Sequence, residues 1–326
     1  MADAWIIAAK RTPVMPKGGA FNDIPATSLG AHVIKAVCNG ADMPHIDQAI
    51  FGNALYGGGN PARVAALEAG LDESIPALSI DTQCCSGLDA IGLAASKVRA
   101  GEADVIVCGG FESYSRAPIR QHRPLKAGDA PVVYDRPPFT PWPDRDPDML
   151  DAAAALAEAR AVSRTEQDAY AVESHRRASE DADVVREIIP VAGHDRDGFT
   201  RALSIKACAR LPVLAGTPAH GLSAATTAVE ADAAAALLVV GDRVASTWAG
   251  PCIQILGAEA AGFDPTQPAL APVVAVRNLM AQLNVSAAEI KNIEMMEAFA
   301  VQAMACIDAL GFDPAVVNQR GGALAR

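Results

Sequence analysis

The strongest constraint on the fold is the rhythm of the first 110 residues, where short apolar runs alternate with stretches of helical apolar spacing. Residues 2–9 form an apolar run that reads as a buried strand, and a Pro/Gly-rich polar loop follows over 11–26. Leu29, Val33, Ile34 and Val37 recur at helical spacing within 28–39. Residues 46–55 read as a strand running into Gly57-Gly58-Gly59-Asn60, and 61–69 open a helix with Pro61 in its first turn. Residues 77–80 are strand-like, 86–99 helical, and 104–108 a strand that Gly109-Gly110 is expected to break. This alternation specifies an α/β fold with a substantially parallel or mixed sheet.

Between about Tyr114 and Leu222 the texture changes. Residues 115–147 are rich in Pro, Arg and Asp, 149–161 and 165–181 are Ala-rich and helical, and 188–212 are mixed and polar. This stretch reads as an insertion packed on the sheet domain. Beyond it, 224–240 reads as a helix running into a strand, and 253–257 and 293–297 are strand-like with helices between them. An acidic residue followed by a strand occurs at 46–50 and again at 289–295, a hint of internal duplication. At 326 residues the chain is long enough for two domains or one duplicated one.

Composition excludes several classes. Hydrophobic residues make up 51% and charged residues 20%, which is globular and not disordered. With 27 Lys+Arg against 38 Asp+Glu the formal charge is -11, so no general attraction to nucleic acid or anionic lipid is expected. Seven cysteines without a CxxC pair argue against a zinc site and for a reducing compartment. None of the six histidines stands at metal-ligand spacing, so no metal is expected. No apolar run reaches the ~18 residues of a membrane span, and the N-terminal run lacks the layout of a signal peptide, so the cytoplasm is the expected location.

One segment carries chemistry. In Ser79-Ile80-Asp81-Thr82-Gln83-Cys84-Cys85-Ser86-Gly87-Leu88 a strand stops and a helix begins. A cysteine there faces the positive end of the helix dipole, where free N–H groups stabilise a thiolate. Such a thiolate suits a nucleophile. A small buried thiol beside a tight turn fits the same position.

The segment resembles the nucleophile motif of thiolases, Cys-x-Ser-Gly after a strand, with Cys84 as the nucleophile and Cys85 where the family usually has a small residue. The resemblance continues in family order. It takes in Lys10-Arg11-Thr12-Pro13 with Gly19-Ala20-Phe21, Asn60-Pro61-Ala62-Arg63 and Gly109-Gly110-Phe111-Glu112-Ser113. Further on it includes Ser163-Arg164-Thr165-Glu166-Gln167-Asp168, Glu297-Ala298-Phe299-Ala300, and Asn318 with Gly321-Gly322-Ala323. It implies a layered αβαβα duplication with an inserted loop domain. The division would be 1–114 with 223–250 as one core half, 115–222 as a CoA-binding loop domain, and 251–326 as an incomplete second half. It also implies acyl transfer from acyl-CoA to Cys84, then thiolysis or Claisen condensation with acetyl-CoA or a 3-ketoacyl-CoA, within fatty acid metabolism. Acyl-CoA is then a substrate, no tightly bound cofactor is needed, and the chain forms a homodimer or homotetramer. By the same resemblance Gly322 belongs to the catalytic set, and Leu214, Thr227, Ala298 and Phe299 line the CoA tunnel. Arg120 and His122, in a basic cluster with Arg116, Arg123 and Lys126, fit two readings, a contact to the CoA phosphates or an ordinary solvated charged face.

The sequence departs from the family in three places. Met296 stands where thiolases have an Asn that holds an oxyanion-hole water; Met has no donor, and its plainest reading is a core-filling side chain. A loop-domain histidine position falls around Asp148. The given sequence ends at Arg326, where thiolases continue with Gly-His-Pro and later a second catalytic cysteine. The expectation is a representation of a longer chain; a chain ending there would acylate Cys84 at best. A degenerate acyl-CoA-binding or scaffolding protein is the alternative function.

Overall fold

The structure is a computed structural model that describes residues 3–39 and 44–326. The first elements in chain order are β1 (Ala4–Arg11), β2 (Met15–Pro16), α1 (Ala26–Val37), β3 (Gln48–Gly52), α2 (Pro61–Glu68), β4 (Ala77–Ile80), α3 (Ser86–Arg99) and β5 (Val105–Ser113). There follow β6 (Gln121–His122), β7 (Val132–Val133), α4 (Met149–Ala159), α5 (Arg164–Glu180), α6 (Ile205–Cys208), β8 (Ala231–Gly241), α7 (Asp242–Ala245), β9 (Ile253–Gln254), α8 (Ala271–Leu283) and α9 (Ala300–Leu310). Ala2, the first residue of the N-terminal apolar run, lies outside the described residues. No helix among the described residues is long and apolar enough to cross a membrane.

The chain packs as two compact units, the first made of Met1–Asp135, Asp183–Gly198 and Glu230–Ala258. Its seven-stranded sheet has the order β4-β3-β5-β8-β1-β9, with β2 pairing β8. β3 runs parallel to β4 and β5, while β8 runs antiparallel to β5 and β1, so the sheet is mixed. Successive residues of the central strands go to opposite faces. Phe51, Val107 and Leu238 join Leu29, Val33 and Ile34 of α1 in one core. Ile50, Ile106 and Val239 join Ala90, Ala94 and Val98 of α3 in the other. Both faces of the central strands are covered, which is why those strands read as unbroken apolar runs.

The expected break at Gly109-Gly110 does not occur: β5 continues to Ser113, paired with β8 throughout. Gly109 adopts φ +151°, and a Cβ there would lie 2.1 Å from the Ala235 carbonyl oxygen. The glycine lets two backbones approach closely inside one ladder, and the strand passes through it.

The second unit comprises Arg136–Ala182, Phe199–Val229 and Glu259–Arg326. Its core joins Ala153, Leu156 and Ala157 of α4 to Val301, Ala305, Cys306 and Leu310 of α9 and Val273 of α8. Residues 259–326 therefore share a core with 136–182 and 199–229, a grouping that cuts the chain elsewhere than the three-part division suggested by the sequence. Helix α5 starts with a capping box in which Ser163 and Glu166 satisfy each other's backbone N–H groups.

Two further expectations are corrected here. Residues 224–230 are not helical. The Ser223 N–H donates to Thr226 Oγ1 (2.9 Å) and the Thr226 N–H to the Ser223 carbonyl (3.0 Å), a local side-chain turn that displaces the helix. Residues 293–297 form no strand; Ile293 makes one parallel bridge to Val317. The pairing is then taken over by a side chain. Asn318 Oδ1 accepts from the Met295 N–H (2.7 Å), and Asn318 Nδ2 donates to the Met295 carbonyl (2.9 Å). One carboxamide thus imitates a peptide unit.

Candidate active site

Cys84 sits in the turn between β4 and α3, exposed to solvent and unbridged. The turn needs a residue in the left-handed region, and Gln83 supplies it at φ +57°. Local bonds offset that cost. The Gln83 N–H donates to Asp81 Oδ1 (3.0 Å), and the Gln83 carbonyl accepts from the Ser86 hydroxyl (2.6 Å) and the Ser86 N–H (3.1 Å). Ser86 Oγ also accepts from the Thr82 N–H (2.9 Å), and Thr82 Oγ1 donates to Asp89 (2.5 Å). Ser86 thus ties both sides of the turn to the first residue of α3, a positioning role that the motif alone did not indicate. Cys84 lies just N-terminal to α3, where unpaired helix N–H groups and the dipole favour an anion. Burial, Asp89 and Cys84 push the thiol of the next residue, Cys85, up.

The end of β5 frames the same unit. Glu112 accepts from the Asn53 amide (2.8 Å) and from the Ala54 and Leu55 N–H groups (2.9 and 3.0 Å), which fixes the loop after β3. Burial nevertheless raises its carboxyl above the ordinary value. Tyr114 follows β5; burial, then Cys84, Glu230 and Glu112, hold its phenol up at about 12, so it stays a proton donor. The Arg120 guanidinium donates to the Ala54 carbonyl (2.6 Å), so it braces the same loop. His122 lies exposed on β6 with its ring stacked on Tyr134 at 4.3 Å, and Arg123 and Lys126 beside it are exposed.

In the second unit the segments 226–228 and 298–300 pair. The Ala228 N–H donates to the Ala298 carbonyl (3.0 Å), the Ala300 N–H to the Thr226 carbonyl (2.9 Å), and Thr227 bridges Phe299. Thr227, Ala298 and Phe299 are thereby brought together, and the buried Thr227 hydroxyl has no protein partner. Leu214 lies on the neighbouring turn, where its N–H donates to the Leu222 carbonyl (2.8 Å), and it is half exposed. Met296 does not fill the core: it is 56% exposed, because the ladder it was expected to join ends at Met295.

Beneath this pairing sits Glu297, 1% exposed. Its carboxylate accepts from Asn318 Nδ2 (2.7 Å), Ser174 Oγ (2.8 Å), Tyr170 OH (3.1 Å) and the Leu324 N–H (3.1 Å). Burial and the Glu297 charge raise the Tyr170 phenol, so it remains a donor. Gly322 packs directly on this carboxylate: a Cβ there would fall 2.3 Å from the Glu297 carboxyl carbon. Gly322 therefore serves close packing on a buried charge. Tyr170 and Ser174 are one helical turn apart on α5, a spacing visible in the sequence once Glu297 is known to face them.

His175, next to Ser174, is fully buried. Burial, helped by Arg201, lowers its pKa to about 4. The folded state holds this imidazole neutral, so the stability it contributes is complete above about pH 6.5 and is lost as pH falls toward about 4. His175→Gln is expected to flatten the pH dependence of the urea midpoint across that window, and an unchanged slope would assign the dependence to other groups. Among the described residues no group of three or more His, Cys, Asp or Glu is placed to hold a metal ion.

Residues 4–242 match the family model of the thiolase N-terminal domain, and residues 250–326 that of the thiolase C-terminal domain. The chain is 35% identical to the putative acetyl-CoA C-acetyltransferase YhfS of Bacillus subtilis, over 99% of this chain and 86% of that protein. It is 36% identical to an acetyl-CoA acetyltransferase of Pseudomonas aeruginosa, over 100% of this chain and 88% of that protein. A probable acetyl-CoA acetyltransferase of Mycolicibacterium smegmatis is also 36% identical, over 98% and 88% respectively. With both of its family domains matched in order along the chain, this protein belongs to the thiolase family.

Proposed function

We propose that Cys84 is the acyl-carrying nucleophile of this chain, a thiolase-type acyl-CoA C-acyltransferase. The observation that carries the reading is an exposed cysteine held by the Ser86 bonds in the turn that opens α3. The thiolate adds to the thioester carbonyl of acetyl-CoA or another acyl-CoA, the CoA sulfur leaves and takes up a proton, and an acyl-cysteine remains. The acyl group then passes to the α-carbon of a second acyl-CoA, or in reverse from a 3-ketoacyl-CoA through Cys84 to CoA. In this reading Leu214, Thr227, Ala298 and Phe299 line the pantetheine path, with the unpartnered Thr227 hydroxyl as its polar contact. Arg120 and the exposed His122 face the CoA phosphates. Gly322 belongs to the catalytic set in this reading through its close packing on Glu297. The chain acts in fatty acid metabolism in the cytoplasm, as a homodimer or homotetramer. In support of association, β4 is an edge strand, and Leu78 on it and Leu88 on α3 are exposed apolar side chains.

The test is intact-protein mass spectrometry after incubation with acetyl-CoA. A single acetyl adduct mapped to Cys84 supports the reading, and an unmodified protein overturns it. A second variant probes the position that departs from the family. Met296→Asn restores a water-holding amide at an exposed position and is expected to raise turnover by up to ~10²-fold, the scale of one oxyanion donor. Steady-state thiolysis measures it, and an unchanged kcat would mean that another group already donates.

A further inference from the structure

Cys85 is unexplained by the reaction and by the fold. It stands where thiolases usually carry a small residue, and it makes no capping hydrogen bond at the N-terminus of α3. Both it and Cys84 are exposed and free. The pair lies outside the helix, after a residue in the left-handed region, and the Cys85 N–H is tethered only by a long 3.4 Å bond to the Thr82 carbonyl. Of the other cysteines, Cys108, Cys208 and Cys306 are buried, Cys38 is half-buried, and Cys252 is exposed.

We propose that Cys84 and Cys85 are a reversible oxidation site, closed to a vicinal disulfide by organic or hydrogen hydroperoxides and reopened by thiols, which shuts off acyl loading. The Cys84 thiolate attacks the hydroperoxide O–O bond; Cys84 becomes a sulfenic acid and the hydroperoxide leaves as an alcohol or water. The Cys85 sulfur then attacks the Cys84 sulfur, an S–S bond forms, and the hydroxyl leaves with the Cys85 proton as water. Two thiols have been oxidised and one hydroperoxide reduced. Two equivalents of an external thiol reverse the bond and leave as their own disulfide. The raised Cys85 thiol fits the order, with Cys84 reacting first. Adjacent Cα atoms are about 3.8 Å apart across a trans peptide, under the ~4.4–6.8 Å span that disulfides prefer. The bond is therefore strained and readily reduced, as a reversible cap requires. Its benefit to the chain is that Cys84 is diverted from irreversible sulfinic and sulfonic acids.

The modification stands on the cysteine pair, while its consequence for acyl loading rests on the reading of Cys84 as acyl carrier. The full chain, its Cys85→Ala variant and its Cys252→Ser variant are treated with hydrogen peroxide and followed by intact mass and peptide mapping. The wild type and Cys252→Ser are expected to lose two hydrogens, with a Cys84–Cys85 link. Dithiothreitol restores both the mass and acetyl loading. Cys85→Ala is expected to gain one oxygen that dimedone traps, then a second that dithiothreitol does not remove. Oxygen adducts forming equally in wild type and Cys85→Ala, or a link that involves Cys252, overturns the proposal. Acetyl loading of the untreated protein is measured separately: its failure sinks the acyl-carrier reading and leaves the disulfide result to stand or fall alone.

Discussion

Cys84→Ser is expected to lose the acetyl adduct and to lower turnover by roughly 10³-fold or more, whereas Cys85→Ala keeps both. A serine hydroxyl in the same turn keeps the Ser86 bonds and the helix end, but an alcohol is a far weaker acid than a thiol and a poorer nucleophile at neutral pH. Cys85 is one residue nearer the helix, yet burial and Asp89 hold its thiol up. The two residues are adjacent in the chain, so the pair of variants tests which of them carries the acyl group and not merely the presence of a cysteine. An inactive Cys85→Ala beside an active Cys84→Ser would place the nucleophile one residue on.

Glu297→Leu is expected to destabilise the chain by about 3–5 kcal/mol, read as a fall in the urea midpoint. The substitution keeps much of the side-chain volume but removes the common acceptor of four donors. Asn318, Ser174, Tyr170 and the Leu324 N–H would each be left at a buried site without that oxygen. Leaving such groups unmade costs more than the bonds themselves contribute. Glu297→Gln should cost less, because it retains one acceptor oxygen, although its NH2 group faces donors. Equal midpoints for wild type and Glu297→Leu would mean that the donors find other partners, and that this carboxylate does not hold the segment in place.

The sheet unit was legible because its elements obey local rules. Ala77–Ile80 and Ser86–Arg99 lie where apolar run and helical spacing put them, and the turn that carries Cys84 lies at their junction. What the sequence hid depended on partners far along the chain. Gly109-Gly110 looks like a break until β8 comes alongside and demands the space. Residues 224–230 look helical until Ser223 and Thr226 bond each other and the next residues pair with 298–300. Met296 looks like core because it is apolar and its segment reads as a strand, yet nothing local says that Asn318 ends the ladder one residue earlier. The family resemblance named Glu297 and Gly322 within motifs. Only the structure gives the reason for both, a buried charge and the single residue small enough to lie against it.

The carboxamide of Asn318 has a consequence for how this chain can change over generations. Because a side chain, and not a neighbouring strand, completes the pairing at Met295, the following side chain carries little of the architecture. An exposed position of that kind tolerates replacement within about 0.5 kcal/mol. Residue 296 is therefore free to vary among donors, thioethers or small side chains with little toll in folding. The buried bonds gather on Glu297, one residue away, and leave beside it a position where substitution is nearly neutral for folding.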